Sequence, residues 1–232
     1  MNGQLDPSDY TGMSFWIISA AMVAATFFFW VERDRAVGKW KTSLTVAAMV
    51  TGIAAIHYFY MRGVWASTGE SPLVFRYVDW LLTVPLQIVE FYLILAAIAV
   101  VKSSLFWRLL IASVIMLVAG YLGEVGSVNV WAGFVVGMLG WIYIIYEIFA
   151  GEAAKLSENS NNAGGQFAFN TLRLIVTVGW AIYPIGYFLG YLSGGEATNF
   201  DTVNIVYNIA DLVNKTAFGL AIWVGATMDS SK

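Results

Sequence analysis

The chain has 232 residues, of which 59% are apolar and only 12% are charged. Soluble domains carry about a quarter of their residues as charges, so this composition excludes an ordinary soluble protein and indicates a surface that faces membrane lipid. With no cysteine and a single histidine, His57, the chain offers no metal site built from thiolates or imidazoles. A formal net charge of -3 argues against nucleic acid as a partner. We therefore expect lipid, and neither metal nor nucleic acid, around this protein.

Long apolar runs organise the chain. A helix that crosses about 30 Å of hydrocarbon needs about 20 apolar residues. These runs are long and continuous rather than short and alternating, which predicts helices and not a barrel. The sequence thus predicts an all-α membrane protein in which residues 1–232 form a single domain, with seven transmembrane helices at about residues 11–31, 42–61, 73–99, 104–123, 126–149, 168–193 and 201–227.

Basic residues in the loops predict the orientation, because cytoplasmic loops of membrane proteins are enriched in lysine and arginine. If the N-terminus is outside, the outer loops hold only Arg62, while the inner side collects Arg33, Arg35, Lys39, Lys41, Lys102, Arg108, Lys155, Arg173 and Lys232. We therefore expect an outside N-terminus and a cytoplasmic C-terminus. The polar stretch 156–166, LSENSNNAGGQ, is expected to be a flexible cytoplasmic loop.

Five ionisable residues interrupt the apolar segments: Arg76, Asp79, Glu90, Asp211 and Lys215. Each costs about 2.5 to 3.5 kcal/mol if it is left unpaired at the centre of a membrane helix, so we expect these residues to serve a function. At 100° per residue, Arg76, Asp79 and Glu90 fall with Thr83 within an arc of about 100° on the third helix. That face is expected to point into the bundle.

The spacing of these residues suggests their chemistry. Asp79 and Glu90 are eleven residues apart, or about 16 Å along a helix, which suits a proton relay rather than a carboxylate pair. Burial favours the neutral amine of Lys215, and a neutral amine is the nucleophile that forms an imine with an aldehyde. Lys215 is therefore a candidate attachment point for a carbonyl cofactor. The alternative is an ion-pair network that only fixes helix register, which leaves Glu90 without a partner.

Three motifs resemble those of microbial rhodopsins: RYVDWLLTVP at 76–85, WAIYP at 180–184 and DLVNK at 211–215. Asp79, Thr83 and Glu90, together with His57, are similar to the proteorhodopsins of marine bacteria in particular. Gln87 resembles the residue found at this position in the blue-absorbing subgroup. The resemblance extends over all seven predicted helices.

The resemblance implies a light-driven outward proton pump of the bacterial inner membrane, a transporter rather than an enzyme. It implies all-trans retinal bound to Lys215 through a protonated Schiff base, with Asp79 as counterion and proton acceptor. Asp211 would be a second counterion, Glu90 the proton donor, and Arg76 and Thr83 would tune the acceptor. The implied retinal pocket consists of Trp80, Trp141, Trp180, Tyr183, Pro184 and Tyr207.

Three further residues acquire roles through the same resemblance. His57 would pair with Asp79, and we expect it to raise the pH at which the acceptor takes up a proton, since the pair titrates as one unit. Trp16 would contact this histidine across a subunit boundary, which implies a homo-oligomer, a pentamer or hexamer. Gln87 would place a dipole near the middle of the polyene and make the pigment absorb blue light.

Two other functions stay open at this point. A photosensory rhodopsin would signal through a membrane partner, but the carboxyl of Glu90 favours pumping, because a sensor benefits from slow reprotonation. A retinal-free seven-helix receptor or transporter would use Lys215 only as an ion-pair partner. Sodium and chloride pumps are disfavoured, because they replace the carboxyl at Asp79 or Glu90.

Overall fold

Membrane-length helices account for most of the computed structural model, which describes residues 5–193 and 200–230. In that part of the chain, seven helical segments are long and apolar enough to cross a membrane. This confirms the predicted all-α fold of seven transmembrane helices. Six of the segments are built from the helices α1 (Tyr10–Glu32), α2 (Trp40–Thr68), α3 (Leu73–Ile98), α4 (Ser103–Glu124), α5 (Val130–Phe149) and α9 (Phe200–Ser230).

The sixth segment along the chain is interrupted. It consists of α7 (Ala163–Leu174), a π-helical turn (Ile175–Gly179), α8 (Ile182–Tyr187) and a second π-helical turn (Phe188–Leu192). Backbone carbonyls that such turns release need other donors in a membrane. The first turn obtains them from neighbouring helices, since Trp141 Nε1 donates to the Val176 carbonyl over 2.9 Å and Asn214 Nδ2 to the Gly179 carbonyl over 3.0 Å.

Polar residues mark where several helices begin and end. The side chain of Asp9 accepts a hydrogen bond from the Gly12 amide at the start of α1, and Asn129 does the same for two amides at the start of α5. Asn162 accepts from the Gly165 amide at the start of α7. Gly69, with φ of 71°, ends α2 in the left-handed conformation that glycine adopts without strain.

The expectation of a flexible loop over 156–166 is wrong. A short helix, α6 (Glu152–Glu158), occupies the first part of this stretch, and α7 already begins at Ala163. Ala153 and Ala154 on α6 are buried against the bundle. Arg108 holds the start of α6 by a 2.7 Å hydrogen bond from Nη2 to Glu152 Oε2. The polar residues of this stretch thus end α6, form a short connection at 159–162 and begin α7.

The loops at one end of the bundle are rich in basic residues. The basic end is the end where α1 meets α2, with Arg33, Arg35, Lys39 and Lys41. Because successive membrane helices alternate in direction, the junctions α3–α4 and α5–α7 and the last turn of α9 lie at this end too. Lys39 Nζ donates to the carbonyl of Ala96 near the end of α3, over 2.5 Å. Lys232, counted above with the basic residues, lies outside the described residues.

Candidate functional site

The amine of Lys215 lies between two carboxylates in the interior of the bundle. Its Nζ donates to Asp79 Oδ2 on α3 over 2.7 Å and to Asp211 Oδ2, one turn earlier on α9, over 2.8 Å. All three side chains are buried, with 2% or less of their surface exposed. The structure therefore brings the predicted attachment residue and both predicted counterions into one cluster with an excess of negative charge.

Asp211 is saturated with hydrogen-bond donors. Its Oδ1 accepts from Tyr183 Oη over 2.6 Å and from Trp80 Nε1 over 3.1 Å. Its Oδ2 accepts from Tyr58 Oη over 2.8 Å as well as from Lys215. Donors directed at a carboxylate stabilise its ionised form, so Asp211 is built to remain an anion.

Asp79 differs from Asp211 because one of its carboxylate oxygens lacks a hydrogen-bond donor among the described residues. Its Oδ1 is buried and, within residues 5–193 and 200–230, has no hydrogen-bond partner. His57 Nδ1 lies 3.3 Å from this oxygen and 3.0 Å from the carbonyl of Ile53. The hydroxyl of Thr83 donates to the backbone carbonyl of Asp79 over 2.9 Å rather than to its carboxylate. Of the two carboxylates beside Lys215, Asp79 is thus the one with fewer hydrogen-bond donors among the described residues.

Arg76 is held by neutral groups. Its guanidinium donates to Asn204 Oδ1 and Asn208 Oδ1, both over 2.9 Å, and to Tyr58 Oη over 3.2 Å. If these charges formed an ion-pair network that only fixes helix register, Arg76 would pair with Asp79. The described part of the chain contains no salt bridge between them. Tyr58 links Arg76 to the cluster around Lys215, because its hydroxyl also donates to Asp211.

Sequence reasoning missed these partners of Arg76, although part of the signal is visible. Asn204 and Asn208 precede Asp211 and Lys215 at steps of four, three and four residues, which places all four on one face of α9. A column of polar residues on a membrane helix indicates a face that points into the bundle. Tyr58 carries no such signal, because a tyrosine beside a histidine fits equally well at a lipid interface.

Glu90 stands apart from this cluster. The side chain is fully buried, and neither carboxyl oxygen has a hydrogen-bond partner among the residues that the structure describes. The hydroxyl of Ser43 on α2 is a polar neighbour of this carboxyl. An ionised carboxylate in such surroundings would lose its hydration without compensation, so the site favours the protonated acid.

An apolar cavity extends from the amine of Lys215 between α3, α4, α5 and the sixth segment. Its walls include Met116, Phe134 and Met138, which sequence reasoning did not name, and all of the residues expected around retinal, which are Trp80, Trp141, Trp180, Tyr183, Pro184 and Tyr207. Aromatic rings meet edge to face in this wall, with the Trp80 centroid 5.1 Å from that of Tyr183. A mostly apolar, aromatic-walled cavity that ends at a buried primary amine fits a long apolar aldehyde.

Gln87 adds an isolated polar group to this cavity. Its side chain is buried and lines the cavity wall on α3. Its Nε2 has no hydrogen-bond partner in the described part of the protein. Gln87 therefore presents an uncompensated amide dipole to whatever occupies the cavity.

The two residues expected at a subunit boundary lie toward the outside of α1 and α2. Trp16 is 43% exposed, and its ring packs against Phe59 with centroids 5.7 Å apart. The guanidinium of Arg62 lies 5.1 Å from the Trp16 ring centroid. His57 keeps 18% of its side chain exposed while it faces Asp79. The histidine therefore borders both the buried cluster and the surface of the bundle.

Comparison with known proteins identifies the class to which this fold and site belong. A family model for bacteriorhodopsin-like proteins matches residues 9–228, so the chain belongs to the bacteriorhodopsin-like family. Among its relatives is a green-light absorbing proteorhodopsin from Gamma-proteobacterium EBAC31A08, 58% identical over 231 residues that cover 99% of this chain and 91% of the relative. A blue-light absorbing proteorhodopsin from Gamma-proteobacterium Hot 75m4 is 55% identical, with the same coverage of both chains.

A solved structure supports the same grouping. The crystal structure of the blue light-absorbing proteorhodopsin from Med12 superposes with a TM-score of 0.83 at 57% sequence identity, covering 95% of this chain and all of that one. The chain is thus similar to proteorhodopsins over nearly its whole length. Relatives of both colour classes occur at comparable identity, so overall similarity does not assign a colour.

Proposed function

We infer that this protein is a light-driven outward proton pump that carries retinal, in the all-trans form, on Lys215. The observation that carries this inference is the position of Lys215 Nζ at the end of an aromatic cavity. This nitrogen is 2.7 Å from Asp79 Oδ2, and the other oxygen of Asp79 accepts no hydrogen bond from the described residues. Retinal bound there supplies the absorption of light and a change of shape that loosens the proton on the attachment nitrogen. Residues of the chain supply the counterion, the proton acceptor and the proton donor.

Asp79 and Asp211 divide two tasks between them. Asp211, with four donors on its carboxylate, stays ionised and stabilises the positive charge that the nitrogen of Lys215 carries while it is protonated. Asp79, with an unbonded Oδ1, accepts the proton that leaves this nitrogen. Without retinal, Lys215 Nζ and Asp79 Oδ2 are within direct hydrogen-bond distance, 2.7 Å. Arg76 lies on the other side of Tyr58 and stabilises the negative charge of the cluster.

Glu90 returns a proton to the nitrogen of Lys215 from the opposite direction. It follows Asp79 by eleven residues along α3, or about 16 Å nearer the basic end. Its buried, unbonded carboxyl holds a proton in the resting protein and can give it up when the nitrogen has lost its own. We place the basic end in the cytoplasm, because loop cations are retained there. Protons then move from the cytoplasm to the outside.

Colour, assembly and location complete the proposal. The unpaired dipole of Gln87 beside the cavity supports a blue-absorbing pigment. Trp16, exposed on α1, supports a contact with His57 of a second copy in a pentamer or hexamer, with membrane lipid around the ring. The membrane is proposed to be the bacterial inner membrane, with residues 1–232 forming one retinal-binding domain. Thr83, which bonds the Asp79 backbone, is proposed to keep the acceptor in place.

Reconstitution tests this function in two stages. Adding all-trans retinal to the purified protein should produce a visible band that hydroxylamine bleaches, and Lys215→Ala should form none. Liposomes that contain the pigment should then change the pH of their surroundings on illumination. A pigment that forms but moves no protons would instead support a photosensor, and a chain that forms no pigment would support a retinal-free receptor or transporter.

A further inference from the structure

Three helices meet at one carboxylate at the basic end of the bundle. Asp229, in the last turn of α9, accepts at Oδ2 from Trp40 Nε1 over 2.8 Å and at Oδ1 from Asn162 Nδ2 over 2.7 Å. Trp40 is the first residue of α2, and Asn162 is the residue that caps α7 through its bond from the Gly165 amide. Asp229 therefore connects the start of α2, the start of α7 and the end of α9.

The indole of Trp40 extends from this carboxylate into the buried core of the bundle. Trp40 is 2% exposed and belongs to the apolar cluster that also contains Phe91 and Phe169. Ser43, the polar neighbour of Glu90, follows Trp40 by one helical turn on the same face of α2. The indole therefore lies one helical turn nearer the basic end than the polar neighbour of Glu90.

The helix that carries Asn162 is also seated tightly against α9. A Cβ atom on Gly164 would approach the Gly225 carbonyl oxygen to within 2.4 Å, and one on Gly225 would approach the Gly164 carbonyl oxygen to within 2.7 Å. The two backbones are thus in direct contact beside Trp40, whose ring would lie 3.3 Å from the same Gly225 Cβ. The two helices leave no space between Gly164 and Gly225, and a separation of α7 from α9 would lengthen the bond from Asn162 to Asp229.

On the basis of the proposed pump, we propose that Asp229 is a positioning residue that holds the basic end closed by binding Trp40 and Asn162 together. While both hydrogen bonds are made, the indole is fixed over the route to Glu90 and the start of α7 is fixed against α9. When they break, water and a proton reach Glu90. The strength of these two bonds then sets the rate at which Glu90 regains its proton in each cycle, and has no effect on the transfer from Lys215 to Asp79.

Two variants and one matched control test this proposal in the retinal-bound protein. Trp40→Phe keeps an aromatic ring but removes the donor to Asp229, and Asp229→Asn replaces the anion by a weaker acceptor. Trp223→Phe is the control, because Trp223 Nε1 donates in the same way to Glu32 Oε2 over 2.9 Å without holding α7. Flash photolysis with a pH-indicating dye measures the proton uptake that follows transfer to Asp79.

Both test variants should take up protons about threefold faster or more, which corresponds to the loss of one hydrogen bond. The rate of the earlier transfer to Asp79 should not change. Hydrogen exchange in the dark gives an independent readout, and the amides of residues 163–168 should exchange faster in both variants than in the control. Unchanged uptake, or equal acceleration in Trp223→Phe, would overturn the proposal. An unmodified protein that takes up no protons in light would overturn the pump function itself, whatever the exchange rates show.

Discussion

Lys215 Nζ donates to Asp79 Oδ2 over 2.7 Å, while the other oxygen of Asp79 has no hydrogen-bond partner in the described residues. Asp211, at nearly the same distance from Lys215, has both oxygens occupied by donors. This asymmetry separates a carboxylate that can accept a proton from one that holds a fixed charge.

Asp79→Asn is expected to move the visible band to longer wavelength and to abolish pumping. Excitation moves positive charge away from the nitrogen of Lys215, so the loss of a nearby anion destabilises the ground state more than the excited state. The acceptor is lost at the same time. Absorption spectra and light-driven pH changes measure both effects. Glu70→Gln, an exposed carboxylate, is the matched control, and pumping that survived in Asp79→Asn would contradict the assignment.

His57→Asn is expected to move the midpoint of the spectral pH titration to lower pH. His57 Nδ1 is 3.3 Å from Asp79 Oδ1, so the ring and the carboxyl can share a proton. Sharing stabilises the protonated state of the pair. Titration of the visible band measures the midpoint. An unchanged midpoint would show that the histidine only fills space beside α3.

Glu90→Gln is expected to slow the return of the pigment to its resting state by about tenfold or more, because the nitrogen of Lys215 must then wait for a proton from bulk water. The transfer to Asp79 should keep its rate. Time-resolved absorption separates the two steps. A small permeant weak acid should restore the rate in the variant, and a recovery that is already normal without it would exclude Glu90 as donor.

Gln87→Leu is expected to move the absorption maximum to longer wavelength. A buried amide dipole near the polyene changes the excitation energy by about 1–2 kcal/mol, or roughly 10–20 nm for a visible pigment. Leucine has nearly the same volume, so packing in the cavity is preserved. Absorption spectroscopy of the two pigments under identical conditions decides the point, and identical maxima would remove Gln87 as the cause of the colour.

Tyr58→Phe is expected to destabilise the protein by about 1.5–3 kcal/mol, because the Asp211 carboxylate loses a donor and the Arg76 guanidinium loses an acceptor. Thermal loss of the visible band measures this. Tyr60→Phe, which removes an exposed hydroxyl from the same helix, should have little effect. Equal stability of the two variants would mean that water replaces the Tyr58 hydroxyl at no cost.

The sequence was sufficient to predict the features that follow from the free-energy cost of placing polar groups in lipid. Apolar runs can cross lipid only as hydrogen-bonded helices, and charged residues within them must point inward, so seven helices and the column of Asp79 and Glu90 followed directly. Retinal was different. The spacing made Lys215 a candidate for a carbonyl cofactor, but only the resemblance to rhodopsins indicated which one.

Other features depend on contacts between distant residues, which local patterns do not encode. The partners of Arg76 are amides on α9 rather than the carboxylate three residues away on its own helix. The π-helical turn at Ile175–Gly179 is stabilised by Trp141 and Asn214 from two other helices, and nothing in its own residues indicates it. The sequence does not predict the helix α6 for a similar reason. Its alanines stabilise a helix only through burial against the rest of the bundle.

We propose that light drives a proton from the nitrogen of Lys215 through Asp79 to the outside, and that Glu90 then returns a proton to this nitrogen. The most direct measurement is the pH of an unbuffered suspension of cells that contain the protein with retinal, followed on illumination with and without a protonophore. We expect acidification of the medium that the protonophore abolishes and that Asp79→Asn lacks. An intact visible pigment that leaves the pH unchanged, or makes the medium alkaline, would contradict it.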